Sequence, residues 1–214
     1  MTPQCFTKQI EFIKDLKYKV EPLEKVVQDF FLNPSSNNRP LLNRTVSLTF
    51  DDGYHNFYTT AFPILKRVRF PATVFVITQW IGKKGYLSSD QLKEMEQGGI
   101  VLGSHGCTHR YLPELSFSQA KEEIDHSKRT LEDLLRHPIH FFCYPFGGFS
   151  QAIVEFVRQA GYTAAVTTNR SLPNRPQDSY TIRRIRMSAT THPLHLWAKC
   201  SGYYDSLRRP RPCQ

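Results

Sequence analysis

The sequence predicts an α/β fold in which parallel strands form a sheet or barrel and helices cover its outside. Short apolar runs rich in β-branched residues alternate with helical segments along most of the 214 residues, and this order is typical of parallel sheets with helical crossovers. Acidic and imidazole side chains directly follow several of the runs, as at the carboxyl rim of a barrel. This length suits one compact domain, so we expect residues 1–214 to form a single domain.

The N-terminal region is predicted to be helical between residues 6 and 32. Its apolar residues recur at helical spacing in two stripes, which are Phe6, Ile10, Ile13 and Leu16, then Leu23, Val26, Val27 and Phe30. Residues 33–39 are rich in Pro, Ser and Asn and are predicted to form a loop. We therefore expect residues 1–40 to pack on the barrel as a helical segment, and residues 205–214 to be a flexible tail.

Strands and helices then alternate. Strands are predicted at 46–50, 72–78, 100–103, 139–144, 162–168 and 181–187 from their β-branched and aromatic content, and helices at 58–68, 88–98, 116–136, 150–160 and 193–203 from their periodicity. Ser88 and Ser116 are each followed three residues later by Gln, which is typical of a capping box at a helix start. Gly98 and Gly161 are predicted to end helices.

Composition narrows the function classes. The net charge is +9, but the basic residues are scattered and no stacked-aromatic RNA motif occurs, so we expect no nucleic-acid partner. The chain has no apolar stretch long enough for a transmembrane segment, and no signal peptide is visible, which leaves the localisation open. Five cysteines without a CxxC pair argue against a disulfide framework. The oligomeric state is also left open.

Two pairs of polar residues carry most of the functional information. Asp51 and Asp52 follow an apolar strand, and His105 and His109 follow another with a spacing of four residues. A DDG turn by itself is ordinary turn chemistry, but its place at a strand end and the two imidazoles favour a metal site. Adjacent residues of an extended chain point in opposite directions, so one carboxylate can bind a metal while the other faces a substrate.

A third loop, at residues 144–148, follows the strand predicted at 139–144. Tyr144, Pro145 and Phe146 are interpreted either as plain loop chemistry or as an aromatic, substrate-binding wall with a backbone donor beside the metal.

At these residues the chain resembles the polysaccharide deacetylases, a family that includes chitin, chitooligosaccharide and peptidoglycan deacetylases. The resemblance rests on three motifs, which are Thr49-Phe50-Asp51-Asp52-Gly53, Ser104-His105 through Thr108-His109, and Phe142-Cys143-Tyr144-Pro145-Phe146-Gly147. It implies a distorted (β/α) barrel of about six to seven parallel strands with outer helices. It also implies a Zn²⁺, or another divalent metal such as Co²⁺.

The resemblance assigns a role to each motif residue. Asp51 corresponds to the catalytic base, and three residues correspond to the metal ligands, which are Asp52, His105 and His109. Phe146 corresponds to the aromatic residue whose backbone N–H helps to hold the oxyanion. The implied substrate is an acetylated carbohydrate.

This sequence departs from the family pattern in three respects. Cys143 stands where the family has an arginine that orients the catalytic carboxylate, and we expect Arg184 to replace it. No clear Leu-x-His motif supplies a general acid, although His192 and His195 are candidates. Only six strands can be counted where the family barrel usually has seven. This leaves three alternatives, which are a missing first strand, a misassigned start, or an open barrel with an unpaired edge.

The resulting functional expectation is a metal-dependent hydrolase that removes N-acetyl groups from a carbohydrate containing N-acetylglucosamine and releases acetate. One alternative is an O-acetyl esterase that acts on a polysaccharide such as xylan, because the same metal and base also serve an ester. A second alternative is a carbohydrate-binding member with a decayed active site.

Overall fold

The computed structural model describes residues 2–32, 44–169, 178–191 and 193–200. The strands are β1 (Lys19–Val20), β2 (Thr45–Val46), β3 (Leu48–Phe50), β4 (Ala72–Val76), β5 (Ile100–Ser104), β6 (Phe141–Cys143), β7 (Ala164–Thr167) and β8 (Ile182–Arg183). The α-helices are α1 (Pro3–Asp15), α2 (Leu23–Val27), α3 (Phe62–Val68), α4 (Ser89–Gln97), α5 (Phe117–Leu135), α6 (Gln151–Gln159) and α7 (Pro193–Cys200). Two short π-helical segments flank these helices. Gln28–Leu32 follows α2, and Phe57–Ala61 precedes α3.

Six strands, β3 to β8, form one sheet in which every neighbouring pair is parallel and the strands lie in chain order. The helices between them cross over outside the sheet, and the predicted distorted (β/α) barrel is confirmed. β1 and β2 form a separate parallel pair just before β3. Arg184, directly after β8, donates a hydrogen bond of 3.0 Å to Thr49 on β3. A side chain therefore connects the first and last strands of the curled sheet.

Side chains alternate between the two faces of the sheet, as the pleat of a strand requires. One face packs against the outer helices and contributes to the larger core, for example Val74, Leu102 and Phe142. The other face points into the curl and forms a second cluster of Phe75, Phe141, Cys143, Ala164 and Val166. Leu23 and Val27 of α2 complete this second cluster, so α2 covers the inner face of the curled sheet.

The N-terminal region differs from the predicted helix over residues 6–32. Lys17 adopts a left-handed conformation with φ of 55°, which ends α1, and Lys19 then pairs with Thr45. Pro22 precedes α2 and cannot donate a helical hydrogen bond. The two apolar stripes of the sequence therefore belong to two separate helices joined by a strand.

Local signals otherwise located the elements well. Ser88 and Ser116 both form the predicted capping boxes with Gln91 and Gln119. The strand predicted at 181–187 is much shorter, because the chain leaves the sheet after Arg183. The strand predicted at 46–50 is interrupted at Ser47. Cys5, Cys107 and Cys143 are free thiols, and no helix among the described residues could span a bilayer.

Some sequence predictions lie outside the described residues. They are the loop at 33–39, the end of the last helix at 201–203, the tail at 205–214 and the candidate general acid His192.

Candidate active site

The predicted functional residues converge at the carboxyl ends of the parallel strands. Asp51 and Asp52 follow β3, His105 follows β5, and Arg184 follows β8. Because every strand of the sheet runs in the same direction, these ends share one rim. Residues that lie far apart in the sequence therefore form one cluster.

Asp52, His105 and His109 form a group whose potential ligand atoms all lie within 4.8 Å of one another. The Oδ1 atom of Asp52 lies 3.5 Å from the Nε2 atom of His105 and 3.4 Å from the Nε2 atom of His109. One carboxylate oxygen and two imidazole nitrogens are a donor set that suits a divalent ion such as Zn²⁺. These residues therefore fit the metal that the sequence predicts.

Two of these three residues have unusual backbone conformations. The φ angle is 73° at Asp52 and 61° at His109, in the left-handed region that costs a non-glycine residue about 1–2 kcal/mol. Such strain persists only where the surrounding structure enforces it, and it is concentrated at functional sites. In these conformations the side chains of Asp52 and His109 point toward each other, with Oδ1 and Nε2 3.4 Å apart.

His105 is fixed in the form that can bind a metal. The ring is 3% exposed, and its Nδ1 atom lies 2.8 Å from the backbone oxygen of Cys143. A carbonyl oxygen only accepts hydrogen bonds, so Nδ1 carries the proton and Nε2 keeps its lone pair for the ion. Burial lowers the pKa of His105 below its ordinary value, despite opposing contributions from Asp51 and the Cys143 carbonyl.

Glu123 on α5 organises the loop between the two histidines. Its side chain is buried, and Oε2 accepts hydrogen bonds from the N–H groups of Cys107 and Thr108 at 2.8 and 2.9 Å. Oε1 accepts a further bond from the Thr108 hydroxyl. The loop that carries His109 is therefore tied to the longest helix by a single carboxylate.

Sequence reasoning missed Glu123, although a signal was present. The buried positions of α5 recur at helical spacing, and they are Ala120, Glu123, Ile124, Ser127, Lys128 and Leu131. A buried carboxylate on a helix needs hydrogen-bond donors. Glu123 receives them from the loop between His105 and His109.

Asp51 is held by Arg184. The Nη1 and Nη2 atoms of Arg184 donate hydrogen bonds of 2.7 Å to Oδ1 and Oδ2 of Asp51. Nη2 also lies 3.0 Å from the Sγ atom of Cys143. The Cys143 side chain is small and leaves room for the Arg184 guanidinium, which enters from the end of β8. This guanidinium therefore lies beside the position where the family pattern has an arginine.

The charge state of Asp51 follows from two opposing effects. Burial by itself would raise the pKa of Asp51, but the hydrogen bonds and positive charge of Arg184 outweigh it, with smaller contributions from His105 and Cys143. The pKa of this carboxyl therefore lies below its ordinary value, and Asp51 is ionised at neutral pH. Burial raises the pKa of the neighbouring Cys143 well above its ordinary value, so the thiol stays neutral.

Asp51, His105 and Cys143 form a second group of possible metal ligands among the described residues. Arg184 already contacts both the Asp51 carboxylate and the Cys143 sulfur. A cation at this second position would face that guanidinium at close range. The group that contains Asp52 is therefore the better metal site.

The third loop places its residues in different environments. Phe146 is 66% exposed, has a φ angle of 56°, and its ring centroid lies 4.5 Å from that of His109. Pro145 is buried, and Tyr144 is 1% exposed with its hydroxyl donating to the Tyr180 carbonyl at 3.0 Å. The expectation that Tyr144 offers a surface to substrate does not match this placement, because its ring is part of the core. Only the Phe146 ring of this loop is open to solvent.

His195, the remaining candidate for a general acid, is an exposed residue of α7. This helix packs against α1, whereas Asp52, His105 and His109 lie on the loops after β3 and β5.

Comparison with known proteins gives a family match. The pattern of the polysaccharide deacetylase family matches residues 38–165. YxkH of Bacillus subtilis (strain 168), a protein assigned to the polysaccharide deacetylases, is 34% identical over 145 residues, which are 68% of this chain and 52% of YxkH. The chain thus spans about half the length of that relative. The poly-beta-1,6-N-acetyl-D-glucosamine N-deacetylase of Staphylococcus epidermidis is 28% identical over 205 residues, covering 88% of this chain and 68% of that enzyme.

Solved structures give a similar result. The Streptococcus pyogenes deacetylase PplD, determined in complex with acetate, superposes with a TM-score of 0.83 at 28% identity, covering 92% of this chain and 86% of PplD. IcaB from Ammonifex degensii has the same fold, with a TM-score of 0.81 at 23% identity over 94% of this chain and 90% of IcaB.

Proposed function

Because this chain belongs to the polysaccharide deacetylase family, we propose that it is a metal-dependent hydrolase that removes N-acetyl groups from a glycan containing N-acetylglucosamine. The products are acetate and a free amino sugar. Two comparisons support this substrate class, since one relative is named as an N-deacetylase of poly-N-acetylglucosamine and the similar S. pyogenes deacetylase was determined with acetate.

The observation that carries the proposal is the division of labour between two adjacent carboxylates. Asp52 lies with His105 and His109 in a group suited to a metal, whereas both carboxylate oxygens of the neighbouring Asp51 accept hydrogen bonds from Arg184. A carboxylate that is ionised, oriented and beside a metal site is the arrangement that a general base requires. Simple sugar binding has no need for it.

In the proposed reaction, Asp52, His105 and His109 would hold the divalent ion. When bound, the ion supplies a Lewis acid that polarises the acetyl carbonyl and lowers the pKa of a water molecule. Asp51 takes the proton of the attacking water, and its ionised state at neutral pH suits this role. The same proton then leaves Asp51 for the departing amine, so the carboxyl returns to its starting form.

Arg184 acts through Asp51. Its planar guanidinium bonds both carboxylate oxygens at once, and this bidentate geometry fixes orientation as well as charge. Two departures from the family pattern favour a decayed active site, the altered third motif and the missing late histidine, and Arg184 offsets the first by supplying a guanidinium to Asp51. We therefore favour an active hydrolase over a binding protein.

Phe146 is proposed to serve the substrate in two ways. Its exposed ring covers one side of the site next to His109, and its backbone N–H donates to the oxyanion that forms on the acetyl group. One such donor contributes roughly 3 kcal/mol to transition-state stabilisation. Pro145 and Tyr144 are proposed to support the turn that presents Phe146.

Acetate release tests the proposal. The purified protein should release acetate from oligomers of N-acetylglucosamine, and a chelator should stop the release until Zn²⁺ or Co²⁺ is added back. Asp51→Asn should lose at least about 100-fold in kcat, because general base catalysis contributes 10²–10⁴-fold. Release from acetylated xylan alone would support the esterase alternative, and no release from any acetylated glycan would contradict the proposal.

A further inference from the structure

The third loop, residues 144–148, is bound to β7 at both of its ends. Near its start, the N–H of Tyr144 donates a hydrogen bond of 3.1 Å to the Val166 carbonyl. Near its end, the Gly147 carbonyl accepts a hydrogen bond of 2.8 Å from the hydroxyl of Thr167, the last residue of β7, which is fully buried. The same hydroxyl oxygen accepts a bond of 3.0 Å from the Asn169 N–H. No step of the proposed reaction has yet used Thr167.

The backbone of this loop needs external support. Phe146 has φ and ψ angles of 56° and 4°, and the next residue, Gly147, has a φ angle of 76°. Two successive residues are therefore left-handed, and only the second is a glycine. Two hydrogen bonds close the turn, from Gly147 N–H to the Tyr144 carbonyl at 2.9 Å and from Gly148 N–H to the Pro145 carbonyl at 3.2 Å. A strained turn of this kind persists only where its surroundings enforce it.

Close packing confines the loop on two sides. A Cβ atom on Gly147 would lie 2.6 Å from the Oγ1 atom of Thr168 and 3.0 Å from the backbone nitrogen of Asn169. A Cβ atom on Gly148 would overlap the ring of Tyr111. The loop is thus enclosed between the segment after β7 and this ring, and the Thr167 hydroxyl adds the directional contact that orients it.

Thr167 also bonds to the residue that orients the proposed base. Its backbone carbonyl accepts the N–H of Arg184 at 2.8 Å, and the Arg184 side chain donates to both oxygens of Asp51. The side chain of Thr167 therefore contacts the loop of Phe146, whereas its backbone contacts the support of Asp51. Substitution of the side chain separates the two contacts, because the backbone bond to Arg184 can remain.

We propose that Thr167 is a positioning residue that holds the Phe146 N–H at the place where the oxyanion forms. This inference rests on the proposed function, which assigns that N–H to the oxyanion. Such a donor is effective only when it already lies about 2.7–3.1 Å from the position that the oxygen reaches in the transition state. The Phe146 N–H and the Gly147 carbonyl belong to the same tight turn, so a rotation of the turn after loss of the Thr167 bond would move both.

A positioning role and a purely structural role give different kinetics. If the hydroxyl only satisfied a buried carbonyl, its loss would lower the free energy of unfolding and leave kcat per folded molecule unchanged. An oxyanion donor contributes in the transition state and not in the ground state, so its displacement should lower kcat and leave KM almost unchanged. The ratio of the two kinetic constants therefore distinguishes the roles.

Thr167→Val tests the proposal, because valine has nearly the shape of threonine but no hydroxyl. Removal of a complete oxyanion donor costs about 10²–10³ in kcat, and a displaced donor should lose less, so we expect a fall of about tenfold. KM for oligomers of N-acetylglucosamine should stay within about twofold of the parent. Thr167→Ser keeps the hydroxyl and should restore kcat to within about threefold of the parent. Kinetics are compared in zinc-loaded protein of verified metal content, at a temperature where urea unfolding shows each variant to be folded.

A second measurement does not require activity. Amide hydrogen exchange in the metal-free protein, followed by NMR, reports local opening of the turn. The N–H groups of Gly147 and Gly148 should exchange about tenfold faster in Thr167→Val than in the parent, with rates restored in Thr167→Ser. Thr130→Val is the matched control, because it removes another hydroxyl-to-carbonyl bond of 2.8 Å, to His126 within α5. It should leave kcat and both exchange rates unchanged.

The outcomes separate this inference from the proposed function. Unchanged exchange of the two glycine amides in Thr167→Val would overturn it. So would an unchanged kcat, a loss carried by KM, or a Thr167→Ser variant no better than Thr167→Val. Exchange rates that depend on the Thr167 hydroxyl, together with no acetate release by the wild-type protein, would support the anchoring of the loop by Thr167 and contradict only the hydrolase.

Discussion

Replacement of Arg184 by alanine is the most informative test of the site. The substitution removes two hydrogen bonds of 2.7 Å to Asp51, one of 3.0 Å to Thr49 and the contact with the Cys143 sulfur. It leaves an acidic group in a largely enclosed position without its cation. The effect should therefore fall on both stability and catalysis.

The structure gives the expected magnitudes. Breaking a buried ion pair by removing one partner costs about 3–5 kcal/mol. The side chains of Arg184 and Asp51 are 12% and 31% exposed, so water recovers part of this loss and we expect about 2–3 kcal/mol in the free energy of unfolding. The general base loses its orientation, so kcat should fall about 100-fold. Arg184→Lys keeps the charge without the planar fork and should be intermediate.

The pH dependence has a definite sign. With Arg184 present, the pKa of Asp51 is lowered, so the stability contributed by this group is full above the unfolded value of about 3.9 and is lost as pH falls through the lower folded pKa. Without Arg184, burial is the largest remaining effect and raises the pKa of Asp51. The acid limb of the kcat profile should then move to higher pH.

Three measurements decide the outcome. They are urea unfolding, acetate release between pH 4 and 9 (about the range in which carboxylates and histidines titrate), and metal content by elemental analysis. Arg158→Ala is the matched control, because Arg158 is 46% exposed and pairs with Asp178 at the surface, where an ion pair contributes at most about 1 kcal/mol. Turnover of Arg184→Ala within twofold of the parent, or a loss of metal in proportion to the loss of activity, would refute the role given to Arg184.

The remaining predictions concern the loop between His105 and His109 and the two ends of α5. Glu123→Ala leaves the N–H groups of Cys107 and Thr108 and a hydroxyl without their acceptor, so zinc affinity should fall about 10–100-fold in a chelator competition. Glu123→Gln keeps an acceptor and should lose less, and equal affinities in all three proteins would contradict the prediction. Burial opposes the ionisation of Glu132, but Lys128 and the Ile139 N–H outweigh it and lower its pKa. Its stabilising contribution should therefore be present above pH of about 4.3 and disappear as pH falls, and urea unfolding of Glu132→Gln should differ from wild type at neutral pH and converge with it in acid. Ser116→Ala removes a capping box from α5 and should cost about 1 kcal/mol in the same assay, with no change in zinc affinity.

Local signals in the sequence were sufficient for the order of strands and helices. Capping boxes at Ser88 and Ser116, glycines after helices and β-branched runs act within a few residues of one another, so they can be interpreted without tertiary structure. Predictions were poorer where pairing between distant segments decides the structure. The short strand β1 exists because Lys19 and Val20 pair with residues 45–46. The apolar periodicity of the N-terminal region gives no indication of that pairing.

The composition of the candidate site was also visible in the sequence, but its contacts were not. Asp51 and Arg184 are 133 positions apart, and only the curl of the sheet brings the end of β8 to the end of β3. The sequence is equally compatible with a Tyr144 that faces a substrate. Its burial depends on the packing of α6 and on the Tyr180 carbonyl, which accepts a hydrogen bond from its hydroxyl.

The sequence by itself determined which chemical groups are available, because two acids at one strand end and two imidazoles four residues apart are covalent facts of the chain. Tertiary structure alone decided which acid joins the imidazoles, which acid meets the guanidinium, and which aromatic rings remain exposed to solvent. The physical reason is that ligand geometry, burial and charge pairing depend on distances of a few ångströms between strands. A parallel fold sets those distances only once its sheet has curled.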